Sequence, residues 1–317
     1  MNNSNKKRYI IGVDVGGSHL SAVVIDLVSE QILESSFITS KVDKNGSSAE
    51  ILAVWSDALN QTLSKINPQQ LIGIGFAMPG PFDYENGIAR FTHEVAKYEN
   101  LFGLNIGHEL RVRMNLPQDI PFRFINDATA FALGEAWIGK SVNHKKSIAI
   151  TLGTGFGSAF IENGRPVVER NDVPNQGCAW HLPFKSGIAD DYFSTRWFIR
   201  RYLEETGMVL SGVKEIAEQA HLNGASTKIF EEFGANLAEF MAPWISRFDA
   251  TCLVVGGNII GAFDLWGPTL KANFKKQNIY IEITLSGLLE TSAMIGAARL
   301  LEEEFWIQVN PPLRAKL

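Results

Sequence analysis

Short apolar runs joined by glycine turns open this chain and recur half-way along it. Tyr9-Ile10-Ile11-Gly12-Val13 leads through Asp14-Val15-Gly16-Gly17-Ser18 into Leu20-Ser21-Ala22-Val23-Val24-Ile25, with a third run near Gln31-Ile32-Leu33. Runs this short, joined by a turn too tight for side chains, predict a β-hairpin. Ser147-Ile148-Ala149-Ile150-Thr151-Leu152, Gly153-Thr154-Gly155-Phe156-Gly157 and Ser158-Ala159-Phe160-Ile161 repeat the pattern, and Asn163-Gly164 turns the chain into Arg165-Pro166-Val167-Val168. Two such units predict an internally duplicated fold whose glycine turns face each other across a cleft.

The remaining pattern is mixed α/β. Ile51, Leu52, Trp55, Leu59 and Leu63 stand at helical spacing and predict a helix over 48–66, with Pro68 just beyond its end. Leu71-Ile72-Gly73-Ile74-Gly75-Phe76 reads as a buried strand, and Met78-Pro79-Gly80-Pro81-Phe82-Asp83 as the rigid loop at its carboxyl end, where open α/β sheets bind ligands. Phe122-Arg123-Phe124-Ile125 is another short strand, closed by Asn126-Asp127 at the head of a helix over 128–137. Further helices are expected over 190–205, 213–220, 227–247 and 288–304, and a buried strand at Cys252-Leu253-Val254-Val255 that ends in Gly256-Gly257-Asn258. The domain boundary is expected near 124–127. That gives an N-terminal α/β domain over 1–125, with a C-terminal helix over about 288–317 packing back onto it, and a second α/β domain over 126–287.

Composition narrows the function classes. At 317 residues, 45% hydrophobic and 20% charged, the chain is an ordinary globular protein with room for two cores. A net charge of −5 disfavours broad binding to nucleic acid. No stretch approaches the ~20 apolar residues of a membrane span. The apolar run after Lys6-Lys7-Arg8 meets Asp14 too soon for a signal peptide, so a soluble cytoplasmic protein is expected. Cys178 and Cys252 lie too far apart to imply a disulfide framework or a metal finger.

The glycine turns carry the first candidate chemistry. Gly16 and Gly17 let backbone N–H groups approach a phosphate, and Asp14 ends its strand where it can hold a metal ion or its water. Two other patterns mislead. Gly134-Glu135-Ala136-Trp137-Ile138-Gly139-Lys140-Ser141 has the letters of a P-loop, but a helix precedes it and a strand follows, the reverse of what the mechanism needs. Its glycines are expected to end the helix. Gly153-Thr154-Gly155-Phe156-Gly157 lacks the last glycine spacing of a dinucleotide fingerprint, and a strand follows it. Asn126-Asp127 is the catalytic candidate. One residue of the pair caps the helix, and a carboxylate at that junction can also take a proton from a substrate hydroxyl while Asn126 orients the acceptor.

The ordered set Asp14-Val15-Gly16-Gly17-Ser18, Gly73-Ile74-Gly75-Phe76-Ala77-Met78-Pro79-Gly80, Asn126-Asp127-Ala128-Thr129-Ala130-Phe131-Ala132-Leu133-Gly134-Glu135, Leu152-Gly153-Thr154-Gly155-Phe156-Gly157, Val255-Gly256-Gly257 and Gly296-Ala297-Ala298 resembles that of ROK proteins (repressor, open reading frame, kinase). The resemblance spans nearly the whole chain. It implies a two-domain actin-like ATPase (ribonuclease H-like) sugar kinase fold, with ATP and sugar in the interdomain cleft. It implies Asp127 as the base, and phosphates on Asp14, Gly16, Gly17, Ser18, Gly153, Thr154 and Gly155. The adenosine would meet Gly256 and Gly257, and Asn126, Gly80, Pro81 and His181 would line the sugar site. Mg²⁺ would be held by Asp14 through water and would bridge the phosphates.

The chain departs from that pattern on the sugar side. Gly177-Cys178-Ala179-Trp180-His181 stands where the family carries Gly-Glu-x-Gly-His, so Cys178 replaces an acceptor carboxylate and Trp180 a glycine. Losing that carboxylate changes which hydroxyls can be satisfied. Leu182 to Asp191 replaces the family's cysteine-rich zinc loop, so no zinc site of that type is expected, and Asp190 and Asp191 are expected to cap the helix that begins there. With a first strand at about residue 9, no helix-turn-helix is expected before it, which argues against a DNA-binding repressor. The expectation is ATP-dependent phosphorylation of a hexose, most simply glucose at O6. A non-catalytic sugar or nucleotide sensor, a polyphosphate donor and a homodimer are left open.

Overall fold

The computed structural model describes residues 6–92, 97–222 and 224–313. Two compact units divide the chain: one takes it up to Ile138 and resumes at Glu290, the other is Gly139–Leu289.

In the first unit the opening hairpin is β1 (Tyr9–Val15) and β2 (His19–Asp26), extended by β3 (Gln31–Lys41). Helix α1 (Ser48–Leu63) follows. Its start is set by a capping box, in which the Ser47 hydroxyl accepts from Glu50 N–H at 3.3 Å and Glu50 Oε2 accepts from Ser47 N–H at 2.8 Å. Then come β4 (Leu71–Met78), a two-stranded ribbon of β5 (Phe82–Asp83) and β6 (Ile88–Ala89), α2 (Ile106–Arg113), β7 (Phe122–Asn126) and α3 (Asp127–Trp137). The sheet order is β3-β2-β1-β4-β7, antiparallel among the first three strands and parallel from β1 to β7. Side chains alternate across the pleat, so Ile11, Val13 and Val15 enter the core that holds Trp55, while Gly12 and Asp14 face the other way.

The second unit repeats that sheet. Strands β8 (Lys146–Leu152), β9 (Phe156–Glu162) and β10 (Arg165–Pro166) form the antiparallel part. A small hairpin of β11 (Pro183–Phe184) and β12 (Gly187–Ile188) leads into α4 (Ala189–Tyr192), α5 (Thr195–Thr206), α6 (Val213–Glu218) and α7 (Gly224–Phe248). Strand β13 (Cys252–Gly256), α8 (Phe263–Lys276) and β14 (Glu282–Leu285) complete it, in the order β10-β9-β8-β13-β14. The pairing directions match the first sheet strand for strand, with β8 and β13 parallel and β13 and β14 parallel. Residues 182–191 are fixed by Phe184, whose ring packs on Tyr192, Phe193 and Phe240 at centroid distances of 5.1–5.5 Å.

The chain then returns to the first unit as α9 (Thr291–Arg299) and α10 (Glu303–Leu313), broken between Arg299 and Glu303 where one helix was expected; residues 314–317 lie outside the described residues. Helix α9 lies directly on the sheet. A Cβ on Gly75 would stand 2.0 Å from the Ala297 carbonyl oxygen, so only glycine admits that approach. Helix α3 also belongs to this unit, although 126–287 was expected to form the second domain. Its small residues pack against α9, and a Cβ on Gly134 would stand 2.0 Å from the Ser292 carbonyl oxygen. Gly134 therefore sits inside α3 as a packing residue and does not end it. The helix expected over 190–205 is likewise two, α4 and α5, parted at Phe193-Ser194.

Candidate active site

In the first unit the candidate residues gather at the carboxyl ends of the parallel strands. Asp14 pairs in register with Ala77 of β4, and Met78 with Asn126 of β7. The register therefore sets the Asp14 strand end, the Gly80-Pro81 loop and the Asn126-Asp127 junction on three neighbouring strands. Tyr84 ties the last two together: its hydroxyl donates to the Met78 carbonyl at 3.1 Å and accepts from Asn126 Nδ2 at 3.4 Å. The peptide between Gly80 and Pro81 is cis.

Asn126 and Asp127 divide the labour at the helix head. Asn126 is the cap, its Oδ1 accepting from the N–H groups of Ala128 at 3.1 Å and Thr129 at 3.2 Å. Asp127 is the first helical residue. Its Oδ1 accepts from Asn126 Nδ2 at 3.0 Å and from Ala128 N–H at 2.8 Å. Among the described residues Oδ2 accepts nothing. A carboxylate with one oxygen fixed and one open is a positioned proton acceptor. Burial pushes the Asp127 pKa up; the Ala128 N–H bond, the Lys97 charge and the Asn126 amide oppose it in that order.

Asp14 stands within electrostatic reach of the Asp127 carboxylate. Burial first, then the charges of Asp127 and Glu290, push its carboxyl up to about 7. An excess of negative charge in a half-buried place is one a divalent cation relieves. Among the described residues no three His, Cys, Asp or Glu side chains form a cage. Mg²⁺ needs none, since it is commonly held by one or two carboxylates with waters and phosphate oxygens. Asp14 fits that ion as a ligand or through water.

The first glycine turn is closed by Gly16 N–H donating to the His19 carbonyl at 2.9 Å. A Cβ on Gly16 would stand 2.9 Å from the His19 ring, so a side chain there would have to displace that ring. The Tyr98 hydroxyl donates to the Gly16 carbonyl at 2.7 Å and anchors the turn from outside the hairpin.

In the second unit Gly153, Thr154 and Gly155 form the turn between β8 and β9, and Gly256 pairs with Thr151 at the end of β8, so the register also brings Gly256-Gly257 beside it. Gly257 has φ +85°, and its Cβ would stand 2.3 Å from the Leu152 carbonyl oxygen, a position open to glycine alone. Thr195 N–H and hydroxyl both donate to the Gly153 carbonyl, at 2.8 and 3.0 Å. Asp190 does not cap its helix. Its Oδ1 accepts from Phe156 N–H at 2.7 Å and its Oδ2 pairs with Arg196 at 2.5 Å, while Asp191 makes the capping bond to Ile188 N–H at 3.0 Å. Asp190 N–H donates to the Trp180 carbonyl at 2.9 Å, linking the glycine turn to the altered 177–181 segment. There His181 is exposed, with the half-exposed Trp180 ring edge-on to it at 5.3 Å. Cys178 Sγ donates to the Gln176 carbonyl at 3.6 Å.

Tyr84, Tyr98, Lys97 and Glu290 were not singled out from sequence. Each acts through a contact or charge reaching across long separations, and none sits in a motif. Asp190 was singled out for a different role.

Residues 10–304 match the ROK family. A glucokinase of Thermotoga maritima is 28% identical, covering 94% of this chain and 98% of its own length. An N-acetyl-D-glucosamine kinase of Pectobacterium carotovorum is 25% identical, covering 78% of this chain and 83% of its own. The crystal structure of a ROK family glucokinase from Streptomyces griseus, in complex with glucose and AMPPNP, superposes with a TM-score of 0.71 at 22% identity, covering 93% of this chain and 99% of that one. The fold is the two-domain actin-like ATPase fold of ROK sugar kinases.

Proposed function

This chain belongs to the ROK family, and on that premise we propose that it transfers the γ-phosphoryl group of ATP to a hydroxyl of a hexose. The observation that carries the proposal is the Asp127 carboxylate, with Oδ1 held by Asn126 and Ala128 and Oδ2 open at the head of α3. A glucokinase and an N-acetylglucosamine kinase among its relatives, and a neighbour that binds glucose with AMPPNP, support a sugar acceptor and a nucleotide donor.

Asp127 takes the proton of the attacking hydroxyl on Oδ2, and the Asn126 amide keeps the carboxylate from turning away. Asn126 and the Gly80-Pro81 loop orient the sugar. Gly17 and Ser18 offer backbone N–H groups to phosphate, as do Thr154 and Gly155, whereas the N–H groups of Gly16 and Gly153 are taken by the His19 and Gly155 carbonyls that close their own turns, and Gly256-Gly257 leaves room for the nucleoside. Asp14 would hold Mg²⁺, which when bound supplies charge to the phosphate oxygens. Glucose at O6 is the simplest acceptor, with polyphosphate the alternative donor.

A sugar- or nucleotide-binding protein without turnover draws on one observation. Cys178, where the family pattern has a carboxylate, bonds within its own segment to Gln176. Formation of phosphorylated sugar from glucose, mannose and N-acetylglucosamine, with ATP and polyphosphate in parallel, separates the readings. Asp127→Asn is expected to lower kcat by about 10²–10⁴-fold while leaving sugar binding in place. Turnover equal to wild type in that variant removes Asp127 as the base, and thermal shifts by sugar without product from any acceptor favour the binding protein.

A further inference from the structure

Lys97 belongs to no sequence motif, yet it lies against the first glycine turn. Its Cε is 3.4 Å from the point a Cβ on Gly17 would occupy. The next residue fixes it there. Tyr98 is fully buried, edge-on to Trp55 at 5.3 Å and tilted against Phe91 at 6.0 Å, and its hydroxyl holds the Gly16 carbonyl at 2.7 Å. Lys97 is itself half-buried, and among the described residues it forms no ion pair. Its charge also reaches Asp127, where it opposes the effect of burial. One flexible cation is thus held over the glycine turn, within electrostatic range of the candidate base.

Building on the kinase reading, we propose that the Lys97 ammonium binds the terminal phosphoryl group of the nucleotide and follows it during transfer. The hydroxyl oxygen forms a bond to the γ-phosphorus, the bond from that phosphorus to the β,γ-bridging oxygen breaks, and ADP leaves with the electron pair. The hydroxyl proton passes to Asp127 Oδ2. Lys97 keeps its own protons throughout and donates hydrogen bonds to the γ-oxygens, where negative charge is concentrated. A long side chain with three donors suits a group that moves between two oxygens.

The test compares Lys97→Met and Lys97→Arg with wild type. Lys97→Met is expected to lower kcat by about 10²–10³-fold, with the sugar KM changed less than about threefold, and Lys97→Arg to restore part of the loss. Binding of AMPPNP and ADP is measured on the same proteins by calorimetry. AMPPNP affinity should fall at least about tenfold in Lys97→Met while ADP affinity holds, because only AMPPNP carries a terminal γ-phosphoryl group. Equal losses for the two nucleotides, or no loss for either, overturn the proposal. The binding arm reads Lys97 even where no sugar is turned over, so failure of the kinase reading and failure of this one are told apart.

Discussion

Asp14 sets stability against the proposed function within a single side chain. Its ordinary pKa is 3.8, and burial with the charges of Asp127 and Glu290 pushes it up to about 7 in the folded protein. Below about pH 4 both states hold the proton, and the buried group costs no ionisation. As pH rises from about 4 to 7 the unfolded chain releases its proton first, so stability is lost across that window. Asp14→Asn removes the loss. Its Tm is expected to exceed that of the nucleotide-free wild type near about pH 8, with the gap closing near about pH 4, while phosphotransfer disappears. A Tm difference that does not change with pH would refute the account. Asp14 and the Asn126-Asp127 pair were legible because strand-end and cap positions are local properties of sequence. Lys97, Tyr84 and Tyr98 were not, because each contributes only where a distant turn or helix head meets it.

Helices α3 and α9 meet through backbone, and glycine makes this possible on both sides. A Cβ on Gly296 would stand 1.8 Å from the Ala130 carbonyl oxygen. Gly296→Ala must push α3 and α9 apart, and overpacking of this kind costs about 1–3 kcal/mol. Gly261→Ala, with open space around it, is the control and is expected to stay within about 0.5 kcal/mol. Urea midpoints measure both. Because α3 begins at Asp127, Gly296→Ala should also lower kcat, and an unchanged midpoint would show that the helices part without strain. The same element scale explains what sequence patterning missed. Apolar periodicity runs on through Phe193-Ser194 and through Leu300-Leu301, so each break was hidden inside one expected helix. Strand β14, four alternating residues at a sheet edge, is too short to stand out, and α2 is too polar. Asp190 looked like a cap from its place before a helix; only the fold brings the Phe156 N–H to it.

At the scale of the whole chain, duplication was legible because both hairpins announce themselves by glycine turns, and the two sheets repeat one strand order. The passage from one unit to the other was less so. Asn126-Asp127 marks a helix head, whereas the chain changes units one helix later, at Ile138-Gly139, in a stretch without a strong composition shift. The consequence is an asymmetry in folding. Gly139–Leu289 is one continuous segment with a complete five-stranded sheet and its own aromatic core around Phe193, Phe198, Phe233 and Trp266. The first unit is discontinuous and needs α9, whose Met294, Ile295, Ala297 and Ala298 are fully buried. A segment of residues 139–289 made alone is therefore expected to unfold cooperatively. A chain ended at Leu289 should keep amide protection in β8, β9 and β13 and lose it in β1, β4 and α3, as hydrogen exchange read by mass spectrometry would show. Protection lost in both sets would mean that the second sheet depends on the first for its stability. Protection kept in both would mean that the glycine-lined face of the first sheet does not need the helix that covers it.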